Sequence, residues 1–75
     1  MATFTALTTL PGRAPAEALG DAMEHLDPAP TGVGVFEIED DSGLWEVGGY
    51  FTETPDDIAL HLLAAAHGAK PFTVS

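Results

Sequence analysis

The sequence predicts an α+β domain whose elements follow the order β-α-β-β-α-β. Two observations carry this prediction: a hairpin-like stretch in the middle of the chain, VFEIEDDSGLWEVGGYF (residues 35–51), and a helix-like segment between strand-like runs on each side of it. Right-handed crossovers around such a hairpin give one four-stranded antiparallel sheet with both helices on one face. We therefore expect residues 1–75 to form a single ferredoxin-like plait.

The first strand and the first helix are predicted from alternation and from helical spacing. Residues 3–10 (TFTALTTL) are rich in threonine and alternate roughly between apolar and polar side chains, and Pro11-Gly12 ends this run. A helix from about residue 14 to 27 follows, with Pro15 suited to its first position and a loop with two prolines after it. Its apolar residues recur at helical spacing: Leu19, Ala22, Met23 and Leu26.

The second helix and the last strand have clear end signals. Thr54-Pro55-Asp56-Asp57 predicts a helix start, because Thr54 can cap, Pro55 suits the first helical position and two acids favour the helix dipole. Gly68 is typical of a left-handed C-cap. Residues 70–75 (KPFTVS) are then predicted to form the fourth strand.

The hairpin predicts which side chains enter the core. The strands of residues 33–39 and 44–52 should pair antiparallel around a four-residue loop, Asp40–Gly43. Because side chains alternate across a strand, this register places one apolar set against the helices: Phe36, Ile38, Trp45 and Val47. The sheet face without helices, called the open face below, then receives the other set: Val35, Glu37, Glu39, Leu44, Glu46 and Tyr50.

The predicted open face places Glu37 directly opposite Glu46, a like-charge pair that is mildly destabilising. Two interpretations remain open. The face is either an ordinary solvated sheet surface or a docking surface for a cationic protein, with Glu37, Glu39 and Glu46 as its negative strip. In the second case, apolar contact would come from Val35, Leu44 and Tyr50.

The charge balance restricts the kind of partner. Twelve Asp and Glu residues stand against Arg13 and Lys70, which gives a formal net charge of −10. Nucleic acids and anionic membranes are therefore unsuitable direct partners, since binding to both depends on basic side chains. A basic protein is the natural complement, and plain solubility is the alternative explanation.

The chain offers no convincing catalytic, metal or cofactor motif. It has no cysteine, and its three histidines show no HxxxH or HExxH spacing. The acid pairs Asp40-Asp41 and Asp56-Asp57 are better explained by turn and helix-dipole chemistry. Arg13 lies where acylphosphatases of this fold bind phosphate, but the chain contains no asparagine. No run approaches a membrane span and no signal peptide is evident, so we expect a cytoplasmic protein without catalytic activity of its own.

Residues 31–51 (TGVGVFEIEDDSGLWEVGGYF), together with the opening TFTALTTLPGRAPAEAL and the later FTETPDD, resemble the N-terminal domain of the PrmA family. These bacterial enzymes methylate large-subunit ribosomal protein eleven. The resemblance covers nearly the whole chain, although none of these segments is a catalytic motif.

This resemblance implies a small ferredoxin-like domain that recognises a basic ribosomal protein of the large subunit. A Rossmann-like domain further along the chain would bind S-adenosylmethionine and transfer methyl groups to lysine and to the N-terminal amine. The chain is then expected to be a non-catalytic piece of a longer methyltransferase, and its end within a predicted strand, at Thr73–Ser75, fits that expectation. Two other classes remain open: an ACT-like regulatory module that binds amino acids between paired domains, and a stand-alone interaction domain.

Overall fold

The computed structural model describes residues 3–75 and confirms the predicted fold class. The elements follow the order β-α-β-β-α-β, and the sheet order β2-β3-β1-β4 with antiparallel neighbours is that of a ferredoxin-like plait. Their bounds are β1 Phe4–Pro11, α1 Arg13–Met23, β2 Gly32–Glu37, β3 Leu44–Phe51, α2 Asp57–His67 and β4 Thr73–Val74.

The core lies between both helices and one face of the sheet. The central strands β1 and β3 provide Ala6, Leu10, Val47 and Phe51, and the helices provide Ala16, Leu19, Met23 and Leu60. Thr8 is buried on the same face, and its hydroxyl donates a hydrogen bond to the carbonyl of Lys70. This bond satisfies a polar group that would otherwise be costly in an apolar core.

The helices begin and end somewhat differently from the prediction. α1 begins after Gly12, whose φ of 93° suits glycine, so Pro15 is the third helical residue. It ends at Met23, beyond which i to i−3 hydrogen bonds tighten the next turn. α2 is capped by Asp56 instead of Thr54: its carboxylate accepts from the N–H groups of Ile58 and Ala59.

The end of α2 agrees with the sequence signal, whereas the last strand is shorter than expected. Gly68 has a φ of 69° and forms the left-handed C-cap. β4 includes Thr73 and Val74, and the preceding Lys70 bonds to the carbonyl of Thr9. The segment from Lys70 therefore follows β1 before the ladder begins.

The hairpin register differs from the predicted one by a single residue. β2 and β3 pair Val35 with Val47 and Phe36 with Glu46, so the loop between the facing residues is one residue longer than assumed. Within it, Asp41 has a φ of 62° and Gly43 a φ of 75°. A shift of one residue turns every side chain of one strand to the other face. The predicted faces are therefore right for β3 and wrong for β2.

Four residues of β2 and its extension need correction. Phe36 is not a core residue: it lies on the open face and is 58% exposed. Ile38, which bonds to Leu44 as the next facing pair, lies on that face too and is half-buried. Val35 and Glu37 pair with Val47 and Trp45 on the side of the helices.

Candidate protein-docking surface

Among the strand residues that the structure describes, the open face carries one carboxylate, Glu46. By pairing with Thr9 and Phe36, Glu46 lies in the middle of this face, and Leu44 and Tyr50 share it as predicted. Glu37 lies on the other side, and Glu39 is an exposed residue beyond the end of β2. The predicted negative strip and the Glu37–Glu46 pair are therefore wrong.

Aromatic side chains and glycines dominate the open face instead. Phe36 and Tyr50 are 58% and 45% exposed. The ring of Phe36 lies over Gly34, since a Cβ built at Gly34 would be 2.5 Å from its Cε2 atom. Gly48, the partner of Gly34, is covered in the same way by Leu7. This face offers apolar contact with little charge.

A denser cluster of carboxylates lies along α1 and at its C-cap residue, Glu24. Glu17, Asp21 and Glu24 are exposed and follow one side of the helix at spacings of four and three residues. They line a groove between α1 and β2 whose floor is formed by Val33 and Val35. We call this groove, with its three carboxylates, the acidic groove.

Gly20 explains why the acidic groove lies so close to β2. It is buried in α1, and a Cβ built there would come within 2.8 Å of Cγ2 of Val35 and 3.5 Å of Cγ1 of Val33. Any larger residue would push the helix away from the strand. The glycine therefore brings the carboxylates of α1 next to the edge of the sheet.

The charge of the acidic groove is only weakly compensated. Within residues 3–75 the one ion pair is Arg13 Nε to Glu17 Oε2, at 3.3 Å, with both side chains largely exposed. Such an exposed pair contributes about 0.3–0.5 kcal/mol in a helix. Asp21 and Glu24 make no ion pair in this part of the chain, so the groove keeps a negative potential.

The edge of β2 beside this groove is uncovered. In the sheet formed by residues 3–75, β2 is the last strand on its side and pairs with β3 alone. Its six residues, Gly32–Glu37, contain neither lysine nor proline, the residues that natural sheets commonly place on an edge to prevent pairing. The acidic groove and this free edge together form the candidate docking surface.

Sequence reasoning missed the groove carboxylates, although a signal for them was present. Helical spacing alone places Glu17, Asp21 and Glu24 away from the apolar residues of α1, but it does not show what they face. Their spacing places three like charges on one helix side, which opposes helix stability slightly and so indicates solvation or a basic partner. The sequence could not show that this side of α1 lies next to β2, an arrangement that the close approach at Gly20 allows.

The carboxyl group of Asp40, whose pKa is lowered, lies in the hairpin loop, away from the groove. Hydrogen bonds from the Ser42 hydroxyl and backbone N–H hold the pKa of Asp40 below its usual value. The Ser42 N–H lies 3.0 Å from Asp40 Oδ1, and the Ser42 hydroxyl oxygen accepts from Leu44 N–H at 3.2 Å. These bonds belong to a turn and shape the hairpin.

The connection between β1 and α1 does not have the form of the glycine-rich loop that binds S-adenosylmethionine in Rossmann-like domains. β1 ends at Pro11 and α1 begins at Arg13, so a single residue, Gly12, joins them in place of a glycine-rich loop. Among residues 3–75 no group of three His, Asp or Glu side chains is placed to hold a metal ion. Over the same residues, no helix has the length and apolar character needed to cross a membrane.

Comparisons of the chain with protein-family models, with curated proteins and with solved structures found no match.

Proposed function

We propose that this chain is a non-catalytic recognition domain that docks a basic protein at the acidic groove and the adjacent edge of β2. The observation that carries the proposal is the row of Glu17, Asp21 and Glu24 beside an uncovered strand edge. Complementary charge accelerates encounter with a cationic partner and sets its orientation. At a net charge of −10, the rest of the surface adds to the same attraction.

Within that class, we propose the N-terminal domain of a PrmA-type methyltransferase, with large-subunit ribosomal protein eleven as the basic partner. Support comes from the resemblance of residues 31–51 and of the flanking segments, and from the agreement between the family's fold and the plait. S-adenosylmethionine and the methyl transfer would then belong to a separate domain of the full-length enzyme.

The groove is preferred to the open face because of its charge. The open face has one half-buried carboxylate, Glu46, and the depression beside it is also lined by Lys70. A cationic surface would gain little there. The acidic groove has three exposed carboxylates, and within residues 3–75 they have one partly compensating base, Arg13.

The test is binding of the purified ribosomal protein to the domain and to two charge-matched double variants, at low and at physiological salt. Asp21→Lys with Glu24→Lys reverses charge in the acidic groove. Glu46→Lys with Glu53→Lys makes the same change in net charge on the open face and in the loop before α2. We expect the groove variant to lose about tenfold or more in affinity and most of the salt dependence, mainly through slower association.

The control variant should retain most of the parent's affinity. Equal losses in the two variants would show that only net charge matters, and would overturn the groove as the docking site. Absence of binding by the parent domain would overturn the proposed partner. Circular dichroism of both variants checks that the fold is intact, since all four positions lie outside the core cluster.

A further inference from the structure

We infer that an extended segment of the basic partner adds to β2 as a fifth strand of the sheet, with basic side chains over the acidic groove and apolar ones beside Phe36. This inference rests on the proposed function, because it takes the partner to be a basic protein. It adds the conformation of the bound segment and the side-chain pattern that the segment needs.

The hydrogen-bond phase of the hairpin shows which backbone groups of β2 are free to pair. Ile38 N–H donates to the carbonyl of Leu44 at 3.0 Å, so the backbone N–H and C=O groups of Ile38 face β3. Hydrogen-bonded pairs alternate with non-bonded pairs along an antiparallel ladder, so the backbone groups of Phe36 and Gly34 face β3 as well. The N–H and C=O groups of Val33, Val35 and Glu37 consequently point outward.

The pairing of β3 with β1 gives the same phase independently. Gly12 N–H donates to the carbonyl of Gly43 at 3.1 Å, which directs the odd-numbered residues of β3 toward β1. The backbone groups of the even-numbered residues, Glu46 and Gly48 among them, therefore face β2 and bond to its even-numbered residues. Outward N–H and C=O groups thus recur at every second residue, at Val33, Val35 and Glu37, which is the spacing that strand addition requires.

The two sides of this edge specify different side chains in the added strand. Neighbouring strands lie about 4.8 Å apart, so side chains of an added strand stand next to those of β2. On the helix side they meet the carboxylates of Glu17, Asp21 and Glu24. On the open side they meet the exposed ring of Phe36. A segment in which Lys or Arg alternates with an apolar residue matches both sides.

Charge also excludes a second copy of this chain as the occupant. Pairing two β2 edges would bring the two acidic grooves, and two chains of net charge −10, into contact. Like charges facing each other across a pair of strands are destabilising. An edge without lysine or proline is thus protected from self-association by charge while remaining open to a basic strand.

The direct experiment is amide hydrogen exchange by NMR on the domain with a blocked probe peptide, Lys-Val-Lys-Val-Lys-Val-Lys. We expect exchange at Val33, Val35 and Glu37 to slow by about tenfold or more at saturation, since their N–H groups gain acceptors. Exchange at Gly34 and Phe36 should change little, because those groups are already bonded to β3. The matched control peptide has the same residues and charge but a methyl group on each backbone nitrogen, so it has no N–H to donate to β2 and should give no such alternation.

Two variants of the exposed residue Glu37 separate the contribution of its backbone N–H from that of its carboxylate. Glu37→Gln removes the carboxylate and keeps the outward N–H. Glu37→Pro removes both and leaves the ladder with β3 unaffected, because proline is tolerated where the N–H of an edge strand points outward. We expect the proline variant to bind the probe about threefold or more weakly than the glutamine variant, given that a backbone hydrogen bond contributes about 0.5–1.5 kcal/mol.

The outcomes distinguish this inference from the proposed function. If the ribosomal protein binds and requires Asp21 and Glu24, but neither it nor the probe protects the three outward amides, the added strand is wrong and the recognition role stands. Alternating protection by the probe in a domain that does not bind the ribosomal protein would support the strand edge and overturn the proposed partner. Equal binding of the unmethylated and the methylated peptide would overturn the strand addition.

Discussion

The two faces of the sheet contain similar apolar residues but bury them to very different extents. Phe51 on the helix-covered face is 1% exposed, whereas Phe36 on the open face is 58% exposed. The first ring belongs to the core cluster beneath the helices, and the second lies over Gly34. Residue type alone therefore does not determine which face becomes the core. The deciding factor is which set of side chains the helices can cover closely.

The largest contrast is expected between Phe51→Ala and Phe36→Ala. Removing a fully buried phenylalanine typically costs about 3–5 kcal/mol, which is a large part of the stability of a small domain. Removing the exposed ring should change the free energy of unfolding by about 0.5 kcal/mol or less. Urea unfolding of both variants measures the difference. Similar losses in the two would contradict the assignment of the faces.

A smaller contrast is expected between two glycine substitutions that both create a close contact. In Gly20→Ala the new Cβ would lie 2.8 Å from Cγ2 of Val35, a stiff β-branched side chain that packs against the core cluster. Overpacking of this kind costs about 1–3 kcal/mol and should outweigh the gain of about 1 kcal/mol from alanine in a helix. In Gly34→Ala the obstacle is the exposed ring of Phe36, which can swing away.

Thermal melts should therefore show a lower midpoint for Gly20→Ala and almost no change for Gly34→Ala. The double variant Gly20→Ala with Val35→Ala provides a check on the cause. Its loss should be smaller than the sum of the two single losses, because the shorter side chain at position 35 makes room for the new methyl group. Strict additivity would show that the contact between Gly20 and Val35 is not responsible.

The smallest effect is expected from Asp40, in the loop that joins β2 to β3. Its pKa is lowered in the folded state by hydrogen bonds from Ser42, so its contribution to stability is present above the unfolded pKa of about 3.9 and is lost as pH falls through the lower folded value. Asp40→Asn removes this titration. The stability advantage of the parent over this variant should therefore shrink below about pH 4, as measured by urea unfolding at several pH values.

The order of elements was predictable from the sequence, because each has a local signal. Alternation in TFTALTTL, helical spacing around Leu19 and the Gly68 cap all depend on neighbours within a few residues. Cap positions were less certain: Thr54 and Asp56 are both good capping residues, and the structure selects the second. Such shifts of one or two residues leave the topology unchanged.

The hairpin register was not predictable in the same way. β2 has apolar residues at both parities, with Val33 and Val35 on one and Phe36 on the other. The choice depends on a contact distant in sequence, the close approach of Gly20 to the two valines. It also depends on a loop in which Asp41 adopts a positive φ. The candidate site therefore differs from the predicted one, because a shift of one residue exchanges the faces of β2.

The order β2-β3-β1-β4 has a further consequence for dividing the chain. β1 and β2 come from the first half of the sequence but do not touch, since β3 from the second half lies between them. A fragment that stops in the hairpin loop therefore contains two strands without a partner, and the remaining fragment lacks the strand that joins β3 to β4. Neither half can build a sheet alone. The interleaved topology makes the domain suited to fragment complementation, in which two separately made pieces regain structure only by combining.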